Sequence, residues 1–224
     1  YTIDPNQLEK KIKSYKLKGK KVKAIIAVDY AGHPCDWESL RAIRDKYEIQ
    51  IVNDNCHAMG AKYKKSFDYA GKYADVVTQS YHPVKNFTTG EGGAVLTNDK
   101  NLNKKIEVLR SHGITRNTNS IKKRGEGTWY YEINELGYNY RITDFQCALG
   151  ISQLKKLSKF VKIRRQIAKN YNKAFELDER FIVPAVSKDV DHAYHLYPLQ
   201  IDFNKLGISK KMLFQEMKRQ NINL

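Results

Sequence analysis

No stretch of this chain approaches the roughly 20 consecutive apolar residues that a membrane-spanning helix needs. Its opening residues, YTIDPNQLEKK, hold no apolar core of a secretory leader. Cysteine is scarce and odd in number, with three residues at Cys35, Cys56 and Cys147. That excludes a disulfide framework and makes a reducing cytoplasm the expected setting. Acidic residues are few: 24 Asp and Glu stand against 40 Lys and Arg, a formal charge of +16. Such an excess raises nucleic-acid binding as a function class. The lysines spread along the whole chain, however, and no RNP, zinc-finger or helix-turn-helix pattern accompanies them. A lysine-rich surface is the simpler reading, one an anionic nucleotide substrate tolerates, and neither a nucleic-acid nor a membrane partner is expected. An initiator Met is missing and the last residues, RQNINL, carry no cap signal, so the sequence reads as a piece of a longer chain.

What is present is globular. A hydrophobic fraction of 41% with 11% aromatics suits a packed core rather than disorder. Val22 to Val28 is an apolar run suited to a strand buried on both faces. Asp36 can cap a helix carrying Trp37, Leu40, Ile43 and Tyr47 at helical spacing. Strands follow at 49–52, 75–79 and 93–97, and the alternation of strand and helix predicts an α/β fold with a parallel sheet. Leu102, Ile106 and Leu109 mark one face of a helix after Asn98. Segment 111–141 lacks periodicity, but four Tyr and one Trp between Trp129 and Tyr140 predict an ordered, packed loop. One or two helices are expected over 143–175 with Ala148, Ile151, Leu154 and Leu157 on a buried stripe and Cys147 as an inert core thiol. The strand-like HAYHLYPLQI and a helix over 210–220 open a second, smaller domain. The predicted division is 1–142 for the large domain, 143–175 for connecting helices and 176–224 for the start of the small domain.

In a parallel sheet the ligand sits beyond the carboxyl ends of the strands. The polar residues just past each strand are therefore the candidates: Asp29, Asp54 with His57, and Ser80 through Lys85. Lys85 lies in SYHPVKNFTTGEGGAV, where Pro83 stiffens a turn and Gly90, Gly92 and Gly93 allow close backbone approach. A lysine in a desolvated cleft can form an imine with an aldehyde. Asp54, after the apolar IQIV, could keep a pyridine nitrogen protonated or could merely cap a helix. Taken alone each residue is ambiguous; their order, each after a strand, is what pairs them.

The segments VDYAGHPCD (28–36), DNCHAMGA (54–61), SYHPVKNFTTGEGGAVLTND (80–99), LGYNYRITDFQCALGISQL (136–154) and HAYHLYPLQID (192–202) resemble the DegT/DnrJ/EryC1/StrS family of sugar aminotransferases. Within it they look closest to the enzymes making UDP-4-amino-4,6-dideoxy-N-acetyl-β-L-altrosamine on the path to pseudaminic acid. The resemblance covers nearly the whole chain. It implies the three-layer fold of pyridoxal-phosphate (PLP) transferases of the aspartate aminotransferase type, with a smaller α+β domain beginning at the C-terminal end. Lys85 matches the lysine that holds pyridoxal 5′-phosphate covalently. Asp54 matches the aspartate paired with the ring nitrogen, His57 stands beside the ring hydroxyl, and Ser80 matches a serine on the cofactor phosphate. Asn139 matches an asparagine that reaches that phosphate from the neighbouring subunit, which implies a homodimer with shared active sites. No metal is implied. The family's phosphate loop and its ring-stacking aromatic match nothing in these residues. Asn86, Phe87 and His33 depart from the family's motifs outside the matched positions.

The implied reaction is amination of the C4 ketone of a UDP-linked 4-keto-6-deoxy-N-acetyl hexosamine, with glutamate as the amino donor. A sibling acting on another nucleotide-linked keto sugar at C3 or C4 shares the same residues. Retention of Lys85 argues against the dehydratase siblings, which replace the lysine with His. Two further readings compete. A basic nucleic-acid module would use the tyrosines of 129–140 for base stacking, against ordinary core or interface packing. A zinc site from His33, Cys35, Cys56, His57 and His82 lacks the usual ligand spacing.

Overall fold

A computed structural model describes residues 1–117, 119–123 and 125–222. Helix α1 (Pro5–Leu17) starts at Asp4, whose carboxylate accepts from the N–H groups of Asn6 and Gln7, with Pro5 in the first turn. Strand β1 (Ala24–Val28) leads through a short 3-10 turn, Tyr30–Gly32, into α2 (Trp37–Tyr47), capped by Asp36 as its sequence predicts. Then come β2 (Gln50–Asp54), β3 (Lys62–Tyr63), α3 (Tyr69–Tyr73), β4 (Val76–Ser80), β5 (Gly93–Leu96) and α4 (Lys100–Arg110). Beyond these lie β6 (Ile114–Thr115), β7 (Glu132–Ile133), α5 (Asp144–Leu154) and α6 (Leu157–Phe175). The last elements are β8 (Phe181–Ile182), β9 (Val190–Asp191), β10 (Gln200–Ile201), α7 (Phe203–Leu206) and α8 (Lys210–Arg219).

The central sheet has the order β1-β2-β4-β5. Strands β1, β2 and β4 run parallel, with Val28 opposite Asp54 and Asp54 opposite Thr78. The fourth strand departs from the predicted parallel arrangement: β5 is antiparallel to β4, with Ser80 opposite Gly93. The connection between them carries no crossover helix, and without one a chain can only return antiparallel. A second departure concerns burial. Side chains alternate across β1, so Ile25 and Ala27 are buried while Ile26 is 67% exposed. The predicted two-sided burial of this strand is therefore wrong for these residues. One sheet face meets α2 and α3 in a core of Ile25, Ile51, Val77, Trp37, Leu40, Ile43 and Tyr69, with Ile12 of α1 joining it.

The C-terminal half also corrects the reading of periodicity. Helix α5 starts at Thr143, which exchanges hydrogen bonds with Gln146 in a capping box. Its expected buried stripe is not buried: Ala148, Ile151 and Leu154 are exposed, Leu157 is half-buried, and Cys147 is an exposed thiol rather than a core one. The buried contacts come from Gly150, Val161 and Ala168 instead. The described residues of 111–141 form the β6–β7 pair and an isolated bridge between Ser111 and Asn139, and Trp129, Tyr131, Tyr138 and Tyr140 are exposed. Strand character over 192–199 is absent; that stretch is an irregular strap between β9 and β10, because Tyr194 takes a left-handed φ of 49° and no ladder can continue through it.

Asp29, completely buried just past β1, ties these layers together. Its Oδ1 accepts from the Cys35 N–H at 2.8 Å and the Trp37 indole N–H at 3.2 Å. Its Oδ2 accepts from Asn53 Nδ2 at 3.0 Å, Asn55 Nδ2 at 2.9 Å and the Tyr69 hydroxyl at 2.8 Å. Replacing Asp29 with Ala leaves these buried donors without an acceptor, each costing about 1–3 kcal/mol. Urea unfolding should show Asp29→Ala destabilised by at least about 3 kcal/mol, water entering the cavity satisfying some of the donors. A loss below about 1 kcal/mol would mean that water replaces the carboxylate.

Candidate active site

Asp54, His57, Ser80 and Lys85 all lie at the carboxyl end of the sheet. Asp54 is the last residue of β2, flanked in register by Val28 and Thr78. In an extended strand neighbouring side chains point to opposite faces. Asn53 and Asn55 turn inward to Asp29, so Asp54 faces the other way. It is half-buried, and its Oδ1 accepts from the Cys56 N–H at 3.1 Å. Three residues after Asp54, the turn places His57, whose Nδ1 accepts the Ala31 N–H at 3.2 Å.

Lys85 sits half-buried in the turn joining β4 to β5. Its N–H donates to the His82 carbonyl at 2.9 Å. The turn is knit further by the Tyr81 carbonyl, which accepts from the Thr89 N–H and the Thr88 hydroxyl. Phe87 is buried against Tyr81, with ring centroids 4.7 Å apart. Asn86 is buried and its Nδ2 donates to the Met59 carbonyl at 2.9 Å, which joins the lysine turn to the 54–61 turn. Ser80, half-buried at the end of β4, has its Oγ within 3.4 Å of the His82 N–H.

Electrostatics tie the cluster together. Burial lowers the pKa of His57 below its ordinary 6.5; the positive charge of Lys85 lowers it further, and Asp54 opposes both. Cys56 is pushed up to about 11, chiefly by burial. The charges of Asp54 and Lys85 thus both reach His57. Asn139 is not part of this group: it is exposed on the 134–143 loop, bridged to Ser111, and shares no hydrogen bond with the cluster.

Sequence reasoning missed His195. It comes from the strap after β9, and its ring lies 4.4 Å from that of His57. Burial, with the charges of His57, Lys85 and Arg164, lowers its pKa to about 4. His195 belonged to the HAYHLYP motif, but a strand reading hid its destination. The strap passes close over Gly32, which has a φ of +99°; a Cβ there would lie 2.9 Å from the Tyr194 nitrogen. A second imidazole pair sits nearby: His33 and His192 meet edge to face at 5.5 Å.

These imidazoles link pH to stability. Burial holds His192 neutral, with a pKa lowered from 6.5 to about 3. The unfolded chain takes up a proton as pH falls through its ordinary value, whereas the folded chain does not, so folding stability declines with falling pH across that window. The urea midpoint should fall from about pH 7.5 to about pH 5.5, and His192→Gln should flatten that slope. An equal slope in the variant would rule out His192 as its source.

The model of the DegT/DnrJ/EryC1/StrS aminotransferase family matches residues 1–224. A UDP-4-amino-4,6-dideoxy-N-acetyl-beta-L-altrosamine transaminase of Campylobacter jejuni is 39% identical over 99% of this chain and 56% of its own length. Among solved structures, Helicobacter pylori PseC, an aminotransferase involved in the biosynthesis of pseudoaminic acid, superposes with a TM-score of 0.82 at 31% identity, over 98% of this chain and 54% of that one. Spr1654 of Streptococcus pneumoniae, in its PMP form, gives a TM-score of 0.81 at 28% identity, over 99% of this chain and 58% of that one. The chain spans about half the length of the curated relatives it matches. Among the described residues no helix is long and apolar enough to cross a membrane.

Proposed function

The chain belongs to the DegT/DnrJ/EryC1/StrS aminotransferase family, and from that premise we propose that its parent protein aminates a nucleotide-linked keto sugar with pyridoxal 5′-phosphate as cofactor. The substrate in this reading is a UDP-linked 4-keto-6-deoxy-N-acetyl hexosamine, aminated at C4, with glutamate as donor. The names carried by the Campylobacter and Helicobacter relatives support it. One observation carries the proposal: Lys85 and Asp54 come from neighbouring strand ends of one sheet, and both charges act on the same imidazole, His57. The division into a large domain (1–142), connecting helices (143–175) and the start of a small domain (176–224) belongs to the same reading.

The donor set fits the cofactor. There is an amine, a carboxylate on the opposite face from the Asp29 network, an imidazole and a hydroxyl. Bound pyridoxal phosphate supplies an aldehyde that condenses with amines and a ring that accepts electrons from the adjoining carbon. In this reading Lys85 holds the cofactor and then carries a proton to and from the reacting carbon. Asp54 keeps a proton on the ring nitrogen, because an adjacent anion favours the cationic ring. His57 accepts from Ala31 through Nδ1, so its proton is on Nε2, which can donate to the ring hydroxyl. Ser80 offers its hydroxyl to the phosphate. Arg in place of Lys85 keeps the charge but cannot release a proton or form a stable imine. Full-length Lys85→Arg should lose at least about a thousandfold in turnover while retaining its thermal midpoint; wild-type turnover would remove Lys85 from this role.

Asn139 serves the partner's site in this reading. Its own side chain is exposed, and the loop around it leaves Trp129, Tyr138 and Tyr140 exposed, as a surface covered by a second copy would. A dimer mixed from inactive Asn139→Ala and inactive Lys85→Arg chains then has one site bearing both lesions and one intact site. Subunit exchange should restore activity approaching the wild-type value per intact site. Exchange demonstrated without recovery would confine Asn139 to its own chain.

A further inference from the structure

The strap that carries His195 is fastened more heavily than a surface connection requires. The Ala193 N–H donates to the Gly32 carbonyl at 2.9 Å, and the Leu196 N–H to the Ala31 carbonyl at 3.2 Å. From α6, Arg164 Nη1 donates to the carbonyls of Tyr194 and His195, each at 3.2 Å. Arg165 Nε donates to the His192 carbonyl at 2.8 Å and Nη2 to the Asp191 carbonyl at 3.3 Å. His192 Nδ1 accepts the Tyr194 N–H at 2.8 Å, and the two rings stack at 3.9 Å. Tyr194 is held at a φ of 49°, a conformation that costs a non-glycine residue about 1 kcal/mol or more. All this fixes the backbone on either side of one ring, and that ring packs on His57 at 4.4 Å with a tilt of 48°.

His57 is thus held from two directions. The same turn that the strap grips supplies the Ala31 N–H to its Nδ1, and His195 covers the ring. Tyr30 stands at 6.0 Å on a further side. The charged and titratable groups around it are Asp54 from β2, Lys85 from the β4–β5 turn, and His195 and Arg164 from the strap and α6. His195 itself has a buried Nδ1 with no hydrogen-bond partner. No hydrogen bond from Nδ1 enters the contact, so what reaches His57 is the ring itself.

We propose that His195 is a positioning residue: braced by the strap, its ring holds the His57 imidazole neutral and protonated on Nε2, with that N–H available to the cofactor beside Lys85. The inference rests on the proposed pyridoxal-phosphate reading for its use, but its geometry does not. Removing the His195 ring admits water to His57 and relaxes the burial that keeps it uncharged. The polar Nδ1 is not needed for the brace, so an aromatic replacement retains it.

The test uses the full-length protein without cofactor, with nitrogen-15 shifts of His57 followed against pH. In the wild type His57 should stay in the Nε2–H form to below the ordinary histidine value. His195→Ala should raise the His57 titration toward the ordinary histidine value and mix the two tautomers. His195→Phe should restore the wild-type titration with an unchanged or higher thermal midpoint, which guards against mere misfolding. In the holoenzyme, turnover by His195→Ala should fall on the acid side of neutrality where the wild type is level. A His57 titration in the Ala variant identical to wild type overturns the proposal, as does a Phe variant that titrates like Ala. Because the nitrogen shifts are read without cofactor, failure of the Lys85 assignment leaves this result standing, and the reverse holds as well.

Discussion

A single buried carboxylate sets the geometry on which the rest depends. Asp29 has no exposed surface, and burial pushes its pKa up even though its oxygens take hydrogen bonds from Cys35, Trp37, Asn53, Asn55 and Tyr69. Those donors come from the start of α2, the end of β2 and α3, and Asp29 itself follows β1, so one group joins four elements at the carboxyl edge of the sheet. The effect on Asp54 is geometric. Its two neighbours in sequence are drawn inward to the same oxygen, and the alternation of a strand turns Asp54 to the opposite face. A carboxylate that does no chemistry thereby aims the one proposed to do it.

The lysine turn is joined to this edge at a second point. Asn86, the residue after Lys85, reaches the Met59 carbonyl from a buried position. Gly60 follows Met59, and a Cβ there would lie 2.7 Å from Val161 on α6. The turns holding Asp54 and Lys85 are thus clamped to each other and backed by α6, the helix whose arginines grip the strap. Three segments far apart in sequence come together because each has its polar backbone satisfied by another, as buried irregular chain must be. Rigidity here follows from hydrogen-bond accounting more than from a large apolar core.

Local signals carried much of this architecture. The caps at Asp36 and Thr143 and the strands through Ile51 and Val77 follow from residue type and period. Asp54 and Lys85 stood out because ligands in such sheets gather past the strand ends. What failed depends on partners distant in sequence. The sense of β5 is set by the connection before it, not by the apolar character of GAVL. The exposed faces of β1 and α5 read as buried, because periodicity reports an apolar face but not what covers it. His195 was invisible for the same reason: its placement needs a left-handed Tyr194 and two arginines some 30 residues earlier, at 164 and 165. Neither leaves a local trace in HAYHLYP.

The histidines resolve an apparent conflict in a chain of such basic character. The chain carries a formal charge of +16, yet four of its six histidines, His33, His57, His192 and His195, are held toward the neutral form, in each case first of all by burial. Protonating the pair beside Lys85 would set like charges together, at a cost of about 4 kcal/mol for unit charges about 4 Å apart in a partly buried setting. Kept neutral, an imidazole still donates one N–H, so it can orient a bound oxygen without adding charge. Lys85 and Asp54 then remain the opposed charges acting on His57. A site built this way discriminates by where its N–H groups point. In the proposed reading its performance depends on the braces that fix those rings, and the residues supplying them, Ala31, Tyr194, Arg164 and Arg165, act at one remove from the chemistry.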